Sequence, residues 1–278
     1  MSRKIIIPLP KLLLIALMLV TVIVLYPPFA HGWVGDDYVQ LGYVRELVKR
    51  PLTFYRIFNP AWTIWYYRPL QNFWILLLEL LFGQQPQLFY SVQIGAHLIA
   101  ISLVYRISRQ LTLPPMIAAG SVALFAIHGH YVDVVTWISA IAIVLAAIFS
   151  LAAVSAFLSY LKRPSRPALI LTAIFCLLAL LSHEETILLP PFLFLILMIK
   201  RLEMRDWRLN MRKISNLSSL ISKSEAFNFL LLAVIILIYL ILQFTRTNAT
   251  INLSGTPGSQ WLSLLSPSTF ADFWTATL

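Results

Sequence analysis

The chain has 278 residues, of which 59% are hydrophobic and 12% charged, against roughly 45–50% and about 25% in soluble domains, a balance that excludes an ordinary soluble globular protein. A formal charge of +10 would direct a soluble chain towards nucleic acid; in a chain of long apolar runs it asks instead which side of a membrane holds the cations. The single cysteine, Cys176, lies within an apolar run and excludes both a disulfide framework and a cysteine metal site.

A membrane-spanning helix needs about 20 mostly apolar residues. The fold class read from the sequence is therefore all-α, a polytopic transmembrane bundle of about seven spans. The apolar runs are 5–26, 88–107, 114–128, 134–161, 168–181, 186–199 and 227–244. The first follows Arg3 and Lys4, exceeds a usual signal-peptide core and lacks an A-x-A site, so it is read as a retained span. Residues 31–87 form a long first outer loop. Four of the chain's eight tryptophans, Trp33, Trp62, Trp65 and Trp74, lie there and mark a headgroup-level belt, so this loop is expected to carry interfacial helices between residues 37 and 82. Those aromatics serve as anchors or as a groove for a sugar or lipid, and the sequence does not separate the two. A transmembrane domain thus covers 1–245, with a basic cytoplasmic loop at 200–226 and an outer segment at 246–278.

Placing the N-terminus in the cytoplasm puts 15 of the 21 Lys and Arg residues and 3 of the 11 acidic residues on that side. The inner face then carries +12 and the outer face −2, in agreement with the positive-inside rule. That rule says little about carboxylates, yet eight of them fall outside, several at the mouths of spans, where ionisable groups are functional candidates.

Four clusters carry chemistry. Asp36 and Asp37, followed by Tyr38, can act as base and partner, hold a divalent cation, or simply cap the helix that follows. Tyr67 and Arg68 precede Pro69, a helix-starting proline; the guanidinium suits a phosphate or snorkels to headgroups. His128, His130 and Asp133, with Trp137 beyond, match no specific metal spacing, and no metal site is assigned. His183, Glu184 and Glu185 form a short polar turn between two apolar runs, able to cap the next helix or to line a buried site. His97, alone within a span, reads as a packing residue.

In this order the clusters resemble the GT-C superfamily of membrane glycosyltransferases, and within it the protein O-mannosyltransferase-like branch (glycosyltransferase family 39 type, including the transmembrane-and-TPR enzymes). The motifs that carry the resemblance are Asp36-Asp37-Tyr38, Tyr67-Arg68-Pro69-Leu70, Leu124 through His128 and Asp133 to Trp137-Ile138-Ser139, and Leu181-Ser182-His183-Glu184-Glu185. The resemblance implies transfer of a hexose from a polyprenyl-phosphate donor to a protein or glycan acceptor on the non-cytoplasmic face of a bacterial inner membrane, by an inverting reaction. It implies Asp36 as the catalytic base with Asp37 beside it, and Arg68 as the ligand of the donor phosphate. Tyr67, His128, Asp133, Trp137, His183, Glu184 and Glu185 are supporting residues. The implied partners are membrane lipid, donor and acceptor, with no nucleic acid; a divalent cation is the one cofactor left open. Relatives usually read W-I-S-G-R where this chain has Trp137-Ile138-Ser139-Ala140-Ile141, a Lys where it has His183, and a Pro where it has Gly129. They also continue through further spans, so a truncated product is expected. The alternatives are an inactive or truncated relative and a lipid or solute transporter, the latter calling for polar residues at span midpoints.

Overall fold

The computed structural model describes residues 9–25, 32–60, 66–128, 134–204 and 223–254, and every regular element among them is helical. In chain order the α-helices are α1 (Leu9–Val24), α2 (Asp37–Lys49), α3 (Pro69–Phe82), α4 (Pro86–Gln110), α5 (Pro115–Ile127), α6 (Ile141–Lys162), α7 (Arg166–Ser182), α8 (Leu189–Met204) and α9 (Lys223–Ser254). Short 3-10 helices at Pro51–Phe58, Ile138–Ala140 and Glu184–Leu188 join them.

Proline and glycine set several boundaries. Prolines occupy the first turn of α3, α4, α5 and α7, where the missing N–H is not needed and the fixed φ suits a helix start. Gly35, at φ +56, makes the turn into α2, and Gly83, at φ +59, ends α3; a side chain at either would be strained.

Among the described residues, three helical stretches are long and apolar enough to cross a membrane: Pro86–Gln110, Ile138–Lys162 and Glu225–Gln243. Shorter apolar helices are Leu12–Val24, Pro69–Phe82, Pro115–Ala126 and Arg166–Ser182. The apolar run expected at 186–199 divides into the Glu184–Leu188 turn and α8. The last run is longer than expected, since α9 continues to Ser254 and through the 245/246 boundary drawn from the sequence.

Packing falls into two main apolar clusters. In one, Leu41, Val44 and Leu47 of α2 meet Ile75 and Leu76 of α3, Phe89 and Tyr90 of α4, and Ile141 and Val144 of α6. In the other, α6, α7, α8 and α9 close around Phe157, Ala179, Leu193, Leu197 and Leu232, each 2% exposed or less. Helix α6 packs along α7 and α4, and α1 lies against α5.

Hydrogen bonds fix the helix directions. Gln93, early in α4, donates to Val134 O and Trp137 O just before α6, while Gln110 at the end of α4 donates to Ser155 O and Ser159 Oγ late in α6. Helices α4 and α6 are therefore parallel, and α7 returns antiparallel. The beginnings of α2, α3 and α6 and the end of α7 gather at one end of the bundle. Arg106, Arg109, Lys162, Arg163 and Arg166 lie towards the opposite ends of α4, α6 and α7.

Candidate functional site at the polar end of the bundle

Two adjacent carboxylates at the start of α2 have opposite environments. Asp37 is fully buried. Its Oδ1 accepts from the backbone N–H and the hydroxyl of Ser139 at 2.8 and 2.7 Å, and its Oδ2 accepts from the N–H of Val34 at 3.0 Å. Burial pushes the Asp37 carboxyl above the usual carboxylate range, with a smaller push from the Asp36 charge, against the opposite pull of the Ser139 and Val34 bonds. Asp36 is the N-cap of α2, and its backbone carbonyl accepts from the N–H groups of Val39 and Gln40. Its side chain makes no capping bond. The Oδ1 atom of Asp36 is buried and accepts no hydrogen bond from the described residues, and the same is true of Gln40 Oε1 one turn later.

Arg68, immediately before α3, is held from several sides. Its Nε and Nη2 donate to the two carboxylate oxygens of Glu184 at 2.8 and 2.7 Å, a bidentate pair. Nη2 also donates to His183 Nε2 at 2.9 Å, and the guanidinium carbon lies 4.4 Å over the Tyr66 ring. Among the described residues these bonds leave the two Nη1 protons uncommitted. Because arginine keeps its protons, His183 Nε2 must be the acceptor, so the neutral ring carries its hydrogen on Nδ1. Nδ1 then faces the carboxylates of Glu184 and Glu185, each 4.0 Å away. The 3.4 Å approach of the Glu185 N–H to Nδ1 is the weaker geometry and gives way. Burial, and then the charge of Arg68, push the His183 pKa below its ordinary value, against the two glutamates. For Glu184, burial pushes up, but the bonds and charge of Arg68 prevail and leave its pKa lowered.

Asp36, Gln40, Tyr66, Arg68, Gln71, Asn72 and Ser139 line one polar cavity of ≈ 60 Å³. The walls are set by amides that the sequence places inside apolar helices. Gln71 donates to Ser139 O at 2.8 Å, and Gln93 holds Val134 O and Trp137 O, so the segment 134–140 is tied down by α2, α3 and α4 together. Tyr67 is buried and braces the site without entering it: its hydroxyl donates to Phe58 O and its carbonyl accepts from Tyr239 in α9.

The structure thus brings together Asp36, Asp37, Arg68, His183 and Glu184, all expected from the sequence, with Tyr67 behind them. Glu185 stands more exposed beside His183, its side chain 87% accessible. Trp137 contributes its backbone carbonyl to the framework and leaves its ring exposed. His128 is exposed at the end of α5 and lines no part of the cavity. His130, Asp133, Trp62 and Trp65 lie outside the described residues. Among the described residues no three His, Cys, Asp or Glu side chains gather as a metal-holding group. Gln40, Gln71 and Asn72 were not singled out from the sequence; polar amides at helical spacing beside two charged motifs are the signal that marks them.

Fold and site together define an all-helical, membrane-type protein with a small polar cavity at one end of its bundle. Comparison with protein-family models, with curated proteins and with solved structures finds no match for this chain.

Proposed function

We propose that this chain is a multi-pass membrane glycosyltransferase that moves a hexose from a polyprenyl-phosphate donor to a protein or glycan acceptor on the non-cytoplasmic face. The observation that carries the reading is the pairing of an unbonded, buried Asp36 oxygen with Arg68 in one cavity at the acidic end of the bundle. In this reading the N-terminus is cytoplasmic, about seven helices cross the bilayer, and residues 37–82 lie at the outer surface.

The chemistry follows from the groups present. Asp36 takes the proton of the acceptor hydroxyl as its oxygen bonds to C1 of the sugar. The C1–O bond to phosphate breaks, and the lipid phosphate leaves with the electron pair. Arg68, held rigid by Glu184 and His183, offers its two Nη1 donors to that growing charge, and pre-set donors of this kind need no reorganisation during the reaction. The revised role of Asp37 is structural: with its carboxylate spent on Ser139 and Val34, it aims Asp36 and does not share the proton transfer. The cavity is far below the roughly 300–1,000 Å³ of ordinary ligand sites, so the sugar enters only when Tyr66 and its neighbours move.

The test is transfer of labelled hexose from a polyprenyl-phosphate donor by membranes containing the chain. Asp36→Asn and Arg68→Ala are each expected to lower transfer by at least about 100-fold, the scale of a lost general base or anion donor, with normal amounts of folded protein. Wild-type transfer in both variants would overturn the site. A second reading, an inactive relative, is favoured by the closed Arg68–Glu184 pair and the cavity's size; detectable transfer by the unaltered chain disposes of it.

A further inference from the structure

At the opposite end of the bundle, a groove of ≈ 450 Å³ runs between α7 and α9. Arg166, Leu169, Ala173 and Leu177 form one wall at helical spacing, and Leu231 and Ile235 belong to the other. From Arg166 to Leu177 the groove follows α7 for about 16 Å at about 1.5 Å per residue. That is half of a hydrocarbon core about 30 Å thick, so one end sits at headgroup level and the other near the midplane. The headgroup end is cationic. Arg166 makes no ion pair among the described residues, Lys162 and Arg163 precede it at the end of α6, and Lys223 opens α9 one turn before the groove-lining Phe227.

We infer that this groove is a binding site for one anionic phospholipid of the leaflet opposite the candidate active site, its acyl chain between α7 and α9 and its phosphate on Arg166. The inference rests on α7 and α9 lying in a bilayer and is independent of any sugar transfer. Length fixes the ligand class, because a groove open from headgroup level to midplane matches a single leaflet's chain. Charge selects within the class: a zwitterionic headgroup is neutral overall and gains little from Arg166, the one cation that lines the groove, whereas a net negative headgroup gains from it.

The purified full chain is offered phosphatidylglycerol and phosphatidylcholine with identical acyl chains, and the lipid retained is counted by native mass spectrometry. Phosphatidylglycerol should be retained about fivefold better, the scale of one basic side chain at about 1 kcal/mol near an anionic surface. Arg166→Gln should abolish the preference, and Arg166→Lys should keep most of it. Ile174→Trp, at an exposed position on the groove wall, should lower retention of both lipids by blocking the acyl seat. Equal retention of the two lipids, a preference that survives Arg166→Gln, or retention indifferent to Ile174→Trp would each overturn the inference.

Discussion

Two long-range ties bind the start of the chain to later turns at the same end of the bundle, and they are built differently. Asp37 reaches Ser139, 102 residues on, in a fully buried contact made of one carboxylate and neutral donors. Arg68 reaches Glu184, 116 residues on, through a charged pair whose side chains remain 16% and 31% exposed. The first uses up what its carboxylate offers and holds geometry. The second keeps spare donors and some access to water, and so can meet a ligand. Position beside a reactive-looking motif therefore does not assign a role; the hydrogen bonds already spent do.

Replacing each acid by leucine breaks the comparison most severely. Asp37→Leu orphans the buried N–H and hydroxyl of Ser139, each costing about 1–3 kcal/mol, and the part-buried N–H of Val34, a large share of a total stability of about 5–15 kcal/mol. Membrane yield and the thermal midpoint in detergent should collapse. Asp36→Leu should leave both nearly unchanged, because its buried oxygen has no bond to lose; an equal collapse would show that the two acids are not distinct. Glu184→Ala comes next. It frees a guanidinium that is still partly solvated, and a cost of about 1–2 kcal/mol is expected after allowance for that exposure, read as a fall in thermal midpoint with the helical content intact. Gln93→Leu should cost about 1–2 kcal/mol by leaving Val134 O and Trp137 O without their donor, and should loosen segment 134–140 in hydrogen exchange.

The smallest effect is a pH dependence. The folded pKa of His183 lies below its ordinary 6.5, so the unfolded chain takes up the proton first. Stability from this group is complete above pH 6.5 and is lost as pH falls towards the lowered folded value. Glu184, also lowered from its ordinary 4.5, adds stability above 4.5 that disappears at still lower pH. Asp37 runs the other way. Its raised pKa makes its contribution fullest below 3.8 and lost as pH rises through the folded value. Thermal midpoints measured from pH 7.5 to 5.5 should decline, and His183→Asn should flatten that decline; an unchanged slope would remove His183 from the Arg68 cluster.

Much of the frame was legible along the chain, since apolar runs and helix-starting prolines report local physics. Pro86 and Pro115 each begin a helix near a boundary drawn from composition, and Pro69 begins the helix expected to start there. Of the residues singled out in the four motifs, Asp36, Asp37, Arg68, His183 and Glu184 converge, whereas His128 lines no part of the cavity. What stayed hidden was the division of labour within them. Nothing in the pair Asp36-Asp37 tells which side chain turns inward, because that depends on the Ser139 hydroxyl arriving from α6. Gln71 and Gln93 read as interruptions of apolar helices until their carbonyl partners are seen.

The sequence by itself determined an apolar helical chain with polar motifs between its apolar runs, because hydrophobicity is a local quantity that sums along a helix. Only the tertiary structure decided that Asp37 is a lock, that Arg68 is a latch with donors to spare, and that a cavity lies between them. Those distinctions depend on burial and on hydrogen bonds between groups more than a hundred residues apart, and no local pattern encodes them.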